Sequence, residues 1–169
     1  MVFSLFPQIT WAMGGEGTAT NSYTISTLAE LEEFRDSVNS GTTYSGQYIK
    51  LTANIDLGGE AAGNWTSIGK IDSNTVNVIR GTFDGGRYAV SGLYINSKED
   101  YQGLFSSLGA GGTIKNLSVS GTVMGGSIIG GLMGMNNGTI LNSNNTGTVS
   151  GMMNVGGVVG QNNGGTVSG

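Results

Sequence analysis

From residue 101 onward the chain sets single apolar residues, or pairs of them, between Gly, Asn, Ser and Thr, as in "GTIKNLSV" (112–119) and "VGGVVG" (155–160). No apolar pattern at helical spacing is sustained there, and each short run holds β-branched or other apolar residues, so the pattern predicts short strands separated by tight turns. One upstream stretch differs. In "TLAELEEFRDSVNSG" (27–41) Leu28, Leu31, Phe34 and Val38 fall on one helical face, Thr27 and Glu30 stand at capping-box spacing, and Gly41 is a stop signal. A helix over about 28–39 is predicted, flanked by strand-like "SYTIS" (22–26) and "YIKLTANIDL" (48–57).

The strand-like phrases recur. "GGTIKNLSVSGTV" (111–123), "NGTILNSNNTGTV" (137–149) and "GGTVSG" (164–169) line up, with Thr113 to Thr139 spanning 26 residues, Thr139 to Thr166 spanning 27 and Gly121 to Gly147 again 26. The preceding phrase repeats too, as "GLFSSLG" (103–109), "GLMGMNNG" (131–138) and "GVVGQNNG" (157–164). Repeats of this length indicate stacked units that cannot bury an apolar face singly. Three strands of four to six residues with their turns fill such a unit, which is one coil of a parallel β-solenoid (β-helix). The fold class expected is therefore all-β, with about 26-residue coils over 61–169 and an N-terminal cap over 21–60 that contains the single helix. Asn142, with Lys115 and Asn116 one repeat earlier, predicts a polar row of hydrogen-bonded side chains. The chain stops mid-repeat, and no second cap follows Gly169. The repeats are accordingly expected to be truncated at the C-terminus, leaving an open edge prone to edge-to-edge self-association.

Composition sharpens this picture. With 169 residues, one domain is expected; 32 are Gly, one is Pro, and only 11% are charged. All eleven acidic residues lie between Glu16 and Asp100, whereas from Tyr101 to Gly169 the only charged residue is Lys115. The net charge of −4 argues against nucleic-acid and anionic-membrane partners, which require concentrated positive charge. Cys and His are absent, which removes disulfides, thiolate nucleophiles, Cys/His zinc sites and the usual near-neutral general base. No cofactor is expected. No apolar run approaches the length of a membrane helix, so no transmembrane segment is expected. "MVFSLFPQITWA" (1–12) reads as the back half of a secretory signal that lacks its basic start, and 13–20 as a linker.

The phrases "GLMG" (131–134) and "GVVG" (157–160), with "GLFS" (103–106) departing at Ser106, resemble the GLUG-repeat family of bacterial surface and secreted proteins. The resemblance extends upstream through "NIDLGG", "WTSIG" and "GTFDGGRYAVSGLYI", covering roughly residues 20 to 169. It implies a right-handed parallel β-solenoid, often part of a long extracellular protein, and a secreted or bacterial cell-surface location. The family includes IgA-cleaving zinc peptidases, whose metal motif needs His; this chain has none, so that activity does not carry over.

Three functions compete on these observations. The first is a non-catalytic extracellular repeat module acting as stalk or adhesin, with host or matrix glycans or proteins as partners. The second is a polysaccharide-active lyase or hydrolase, which would gather Asp56, Glu60, Asp72 and Asp84 with Arg80 and Arg87 in a groove. The third is a glycan-binding module stacking sugars on exposed Trp65, Tyr88, Tyr94 and Tyr101. No catalytic or metal-binding residue is assigned: "FDGG" (83–86) reads as an Asp-Gly-Gly turn rather than a calcium site.

Overall fold

The computed structural model describes residues 13–169; the signal-like stretch 1–12 lies outside them. Among the described residues the chain is mostly β, with one α-helix, and its paired strands run parallel except for one small hairpin, Lys70–Ile71 against Val76–Asn77. The largest sheet has six strands in the order Tyr23–Ile25, Tyr48–Leu51, Thr82–Asp84, Thr113–Lys115, Thr139–Leu141 and Thr166–Ser168. In a second sheet Ala89–Asn96 lies between Ile55–Asp56 and Ser118–Met124, and the last of these also carries Asn144–Asn145 and Thr148–Ser150. A third contains Phe105–Leu108, Met133–Asn136 and Val159–Asn162, while Ser127–Gly130 pairs with Met153–Gly156.

Sequence repeats become sheet neighbours. Thr113 pairs with Thr139, Thr122 with Thr148, Ser127 with Met153 and Met133 with Val159, each 26 residues apart. Like residues therefore stand side by side: Thr82, Thr113, Thr139 and Thr166 form one row, and Phe83, Ile114, Ile140 and Val167 the next. In the three strands before the last the middle residue is buried and its neighbours are half-buried, as period-2 alternation requires. Gly121 and Gly147 recur because a Cβ on either would collide with the backbone of the preceding repeat, at Leu93 and Gly121 respectively.

The expected polar row is present. The Asn142 amide donates to Asn116 Oδ1 at 3.5 Å, and Asn116 donates to Asp84 Oδ1 at 3.0 Å. Asn116 and Asn142 have φ of 54° and 47°, a left-handed corner that Asn tolerates better than most residues.

The helix, α1, spans Leu28–Asn39. The Thr27 hydroxyl accepts from Glu30 N at 3.3 Å, and Glu30 Oε2 accepts from Thr27 N at 3.0 Å and Ser26 N at 2.6 Å. Burial pushes the Glu30 carboxyl up, but these bonds outweigh it and hold the group below its ordinary value. Leu31, Phe34 and Val38 are fully buried, whereas Leu28, grouped with them by spacing, remains 37% exposed in the first turn. Phe34 joins an aromatic chain through the core, with ring centroids 5.0 Å from Tyr44 and 5.5 Å from Phe83, which in turn meets Phe105 at 5.3 Å.

Residues 13–20 pack against the first strands. Met13 is buried, Gly14 bridges Thr24, and Gly17 O accepts from Tyr48 N at 2.9 Å. Gly15 and Gly17 have φ of 94° and 73°, which lets the chain make a tight return here.

Candidate functional site

Between Ile68 and Ile79 the pairing changes its spacing. Ile68 bridges Phe105, 37 residues on, but Ile79 bridges Leu108, only 29 on. The difference of eight corresponds to residues 70–77, the hairpin, which projects out of the repeat. Its turn follows from "DSNT" (72–75): Asp72 N donates to Thr75 O at 2.9 Å and Asp72 Oδ1 accepts from Asn74 N at 2.8 Å. A second departure, the short 3₁₀ turn Gly59–Ala62, precedes Trp65.

Between the hairpin and the loop 97–102 lies a cleft of about 480 Å³ that Trp65, Ser67, Lys70, Asp72, Glu99 and Asp100 help to line. Its walls are pinned from beneath. The Asn39 side chain accepts from Gly69 N at 2.7 Å and donates to Ser67 O at 3.1 Å, and Asn64 makes a reciprocal pair with the Asn96 backbone at 2.7 and 3.2 Å. Lys70 Nζ sits 2.7 Å from Asp72 Oδ2. That contact and the Asn74 N–H lower the exposed Asp72 carboxyl to about 2, and the same contact holds Lys70 above its ordinary value. Asp100 Oδ1 accepts from Ser127 N at 2.6 Å, fixing the loop to the next repeat. One lysine against three carboxylates leaves this cleft acidic.

Trp65 is 8% exposed, and its indole N–H has no hydrogen-bond partner. The Arg35 guanidinium lies 4.6 Å from the centre of its ring and is paired with Glu32 and Asp36, tying α1 to this region. On that side a smaller cleft of about 100 Å³ brings Trp65 and Tyr94 together with Leu28 and Arg35. Tyr88 and Tyr101 are half-buried and line neither cleft, so the four aromatic candidates do not form one exposed row.

The six residues proposed for a catalytic groove have separate attachments. Asp56 Oδ1 accepts from Gly58 N at 3.0 Å, Glu60 Oε1 accepts from the Tyr94 hydroxyl at 3.2 Å, and Asp72 is held by Lys70. Asp84 accepts from Gly86 N at 2.9 Å, closing the Asp-Gly-Gly turn, and faces Lys115 Nζ at 3.4 Å. Arg80 reaches Ala110 O at 3.4 Å, and Arg87 occupies the turn with φ of 69°. Among the described residues no group of three or more acidic side chains is placed to hold a metal ion. Glu99 and Asp100, which the sequence did not single out, stand with Asp72 at the cleft. Their signal was the Lys98-Glu99-Asp100 cluster just before the charge-poor region.

No family model matches the sequence. A protein of Evansella cellulosilytica that carries the provisional name Gly-rich membrane protein is 37% identical over 110 residues, 64% of this chain. Halomucin of Haloquadratum walsbyi is 33% identical over 116 residues, 66% of this chain. The chain spans 12% of the first relative and 1% of the second. A solved structure from Bacteroides ovatus, provisionally named an immunoglobulin A1 protease, aligns over 90% of this chain and 66% of its own, at 18% identity and a TM-score of 0.47.

Proposed function

We propose that this chain is a non-catalytic repeat module of a bacterial surface or secreted protein, of the GLUG-repeat type, built as a right-handed parallel β-solenoid and acting as stalk or adhesin. The observation that carries the reading is the pairing of like residues about 26 positions apart, Thr113 with Thr139 and Ile114 with Ile140. Each added repeat extends such a stack and brings no new chemistry of its own. The nearly uncharged repeats support a presenting role, as do the separate attachments of Asp56, Glu60, Asp72 and Asp84. The names of the two relatives, a Gly-rich membrane protein and halomucin, fit a surface location.

Inserting a second copy of residues 131–156 after Gly156 tests the architecture. Small-angle scattering should show the molecule lengthened by about 4.8 Å, one strand spacing, with the same β-rich circular dichroism. A product that unfolds, or one that grows in width instead, would sink the reading. Surface display is tested separately by antibody labelling of intact cells of the source bacterium.

A second reading, glycan binding, is favoured by one observation: the 480 Å³ cleft arises where an insertion departs from the repeat, and it carries an acidic rim and a buried, unpaired indole. A glycan array with Glu99→Gln/Asp100→Asn alongside the parent protein tests it. Saturable binding that the double variant loses supports adhesion through this cleft, and binding that persists in the variant places the contact elsewhere.

A further inference from the structure

A groove of about 440 Å³ runs beside the polar row, lined by Arg87, Asn116, Ser118, Asn142 and Asn144. These residues come from three successive layers, since Ala89, Ser118 and Asn144 are sheet neighbours, so the groove crosses the flank of the stack. It shares no lining residue with the hairpin cleft. The layer that supplies Arg87 departs from the repeat at this corner. Asp84, Lys115 and Leu141 are neighbours in one sheet, and Ala89, Ser118 and Asn144 in the next. Residues 116–117 and 142–143 therefore turn the corner with two residues, whereas 85–88 take four. Residues inserted into a stacked repeat gather on one face, often the binding face.

The enlarged corner is held firmly. Gly85 N donates to Lys115 O at 2.8 Å, Arg87 N to Asn116 O at 3.0 Å and Tyr88 N to Gly85 O at 2.8 Å. Arg87 has a φ of 69°, a conformation that Gly or Asn takes at lower cost, so backbone preference alone does not account for a bulky cation here. Its side chain is exposed and, among the described residues, makes no hydrogen bond or ion pair. The carboxylate beside the groove, Asp84, is already engaged by the Asn116 amide at 3.0 Å and Lys115 Nζ at 3.4 Å, which leaves the guanidinium as the unbalanced charge. Asn144 donates to Ser118 Oγ at 3.1 Å, so the Ser118 hydroxyl keeps its own proton, and Asn144 its Oδ1, to offer outward. A planar fork of donors suits a carboxylate, and amides with hydroxyls suit the hydroxyls of a sugar. Among the described residues no apolar or aromatic side chain lines the groove, so it has nothing to hold the apolar side chains of a peptide.

We propose that this flank groove binds an acidic glycan, with a uronate carboxylate on Arg87 and neighbouring sugar hydroxyls on Ser118 and Asn144. The site is separate from the acidic hairpin cleft, whose carboxylates would repel such a ligand.

Calorimetric titration of the full chain with polygalacturonate, alginate and hyaluronan, at low salt, tests this. Binding to at least one of these uronate polymers is expected, and methyl esterification of that polymer's carboxylates should abolish it. Arg87→Asn suits the same backbone conformation, so it should keep the parent circular dichroism while weakening the binding at least tenfold. Asn144→Ala should weaken it a few-fold. Lys98→Gln removes a positive charge elsewhere on the surface and should bind as the parent does. Four outcomes overturn the proposal: binding to none of the polymers, binding that survives Arg87→Asn, an equal loss in Lys98→Gln, which would mean charge attraction without a site, or equal binding to polyglutamate, which would point to an acidic protein instead. The result is independent of the hairpin cleft, because every variant here leaves its lining residues intact.

Discussion

Asn136 and Asn163 both belong to the recurring Asn-Asn-Gly phrase, yet their environments separate them. Asn136 is fully buried; its Oδ1 accepts from Gly138 N at 3.0 Å, and its amide donates to Asn162 Oδ1 at 2.8 Å and Thr166 O at 3.2 Å. Asn163 is exposed and donates to Asn137 Oδ1 at 2.8 Å. Asn136→Ala strands buried polar partners and should lower the unfolding free energy by about 2 kcal/mol, whereas Asn163→Ala should stay within about 0.5 kcal/mol, both by urea titration. The recurrence of Asn was legible in the sequence. Which Asn is buried was not, because burial comes from the repeat stacked above it. Asp84 gives a prediction in pH. Burial pushes its carboxyl up, but the Asn116 amide, the Gly86 N–H and Lys115 together hold it below its ordinary value. A depressed folded-state pKa contributes stability that is present above the unfolded value, near pH 4, and is lost as pH falls through the folded one. Asp84→Asn should therefore shrink the drop in urea midpoint between pH 6 and pH 3 relative to the parent; an unchanged drop would show that this ion pair is immaterial to acid stability.

At the scale of elements, α1 was legible to within a residue or two, since a capping box, an apolar stripe and a stop signal agreed. Its energetics are divided between cap and core. Thr27→Ala should cost about 1 kcal/mol, and Phe34→Ala, which opens the aromatic chain between Tyr44 and Phe83, about 3 kcal/mol or more, measured by chemical denaturation. The hairpin was not legible, because "KIDSNTVN" (70–77) has the strand and turn residues of any repeat. Only pairing across the sheet reveals that it projects. Joining Gly69 directly to Val78 restores the regular spacing between Ile68 and Ile79. That deletion should leave a cooperatively folded, β-rich protein while removing one wall of the cleft, as thermal melting and the glycan array would register. Loss of folding would show that the hairpin braces the first repeats, where Asn77 donates to Asn39 O at 2.6 Å.

Over the whole molecule, stability should be graded along the stack. Central strands such as Thr113–Lys115 have neighbours on both sides, and the last, Thr166–Ser168, has one. Hydrogen exchange should show the amide of Thr166, bonded to Gly138 O, exchanging at least tenfold faster than that of Thr113, bonded to Gly81 O. Equal protection would mean that the repeats open only as one unit.

The sequence by itself determined the local choices: strands from β-branched runs, turns from Gly and Asn, the helix from its cap and stripe, and the neighbours in the sheets from a period near 26. Those are properties of a residue and its near neighbours, or of repetition, and both are written in order along the chain. Tertiary structure alone decided that residues 13–20 fold back, that the hairpin stands out, and that Asp72, Glu99 and Asp100 share a cleft over an unpaired indole. Each depends on which layer lies against which, and stacking sets burial and proximity through contacts between residues some 30 positions apart in stretches that do not repeat.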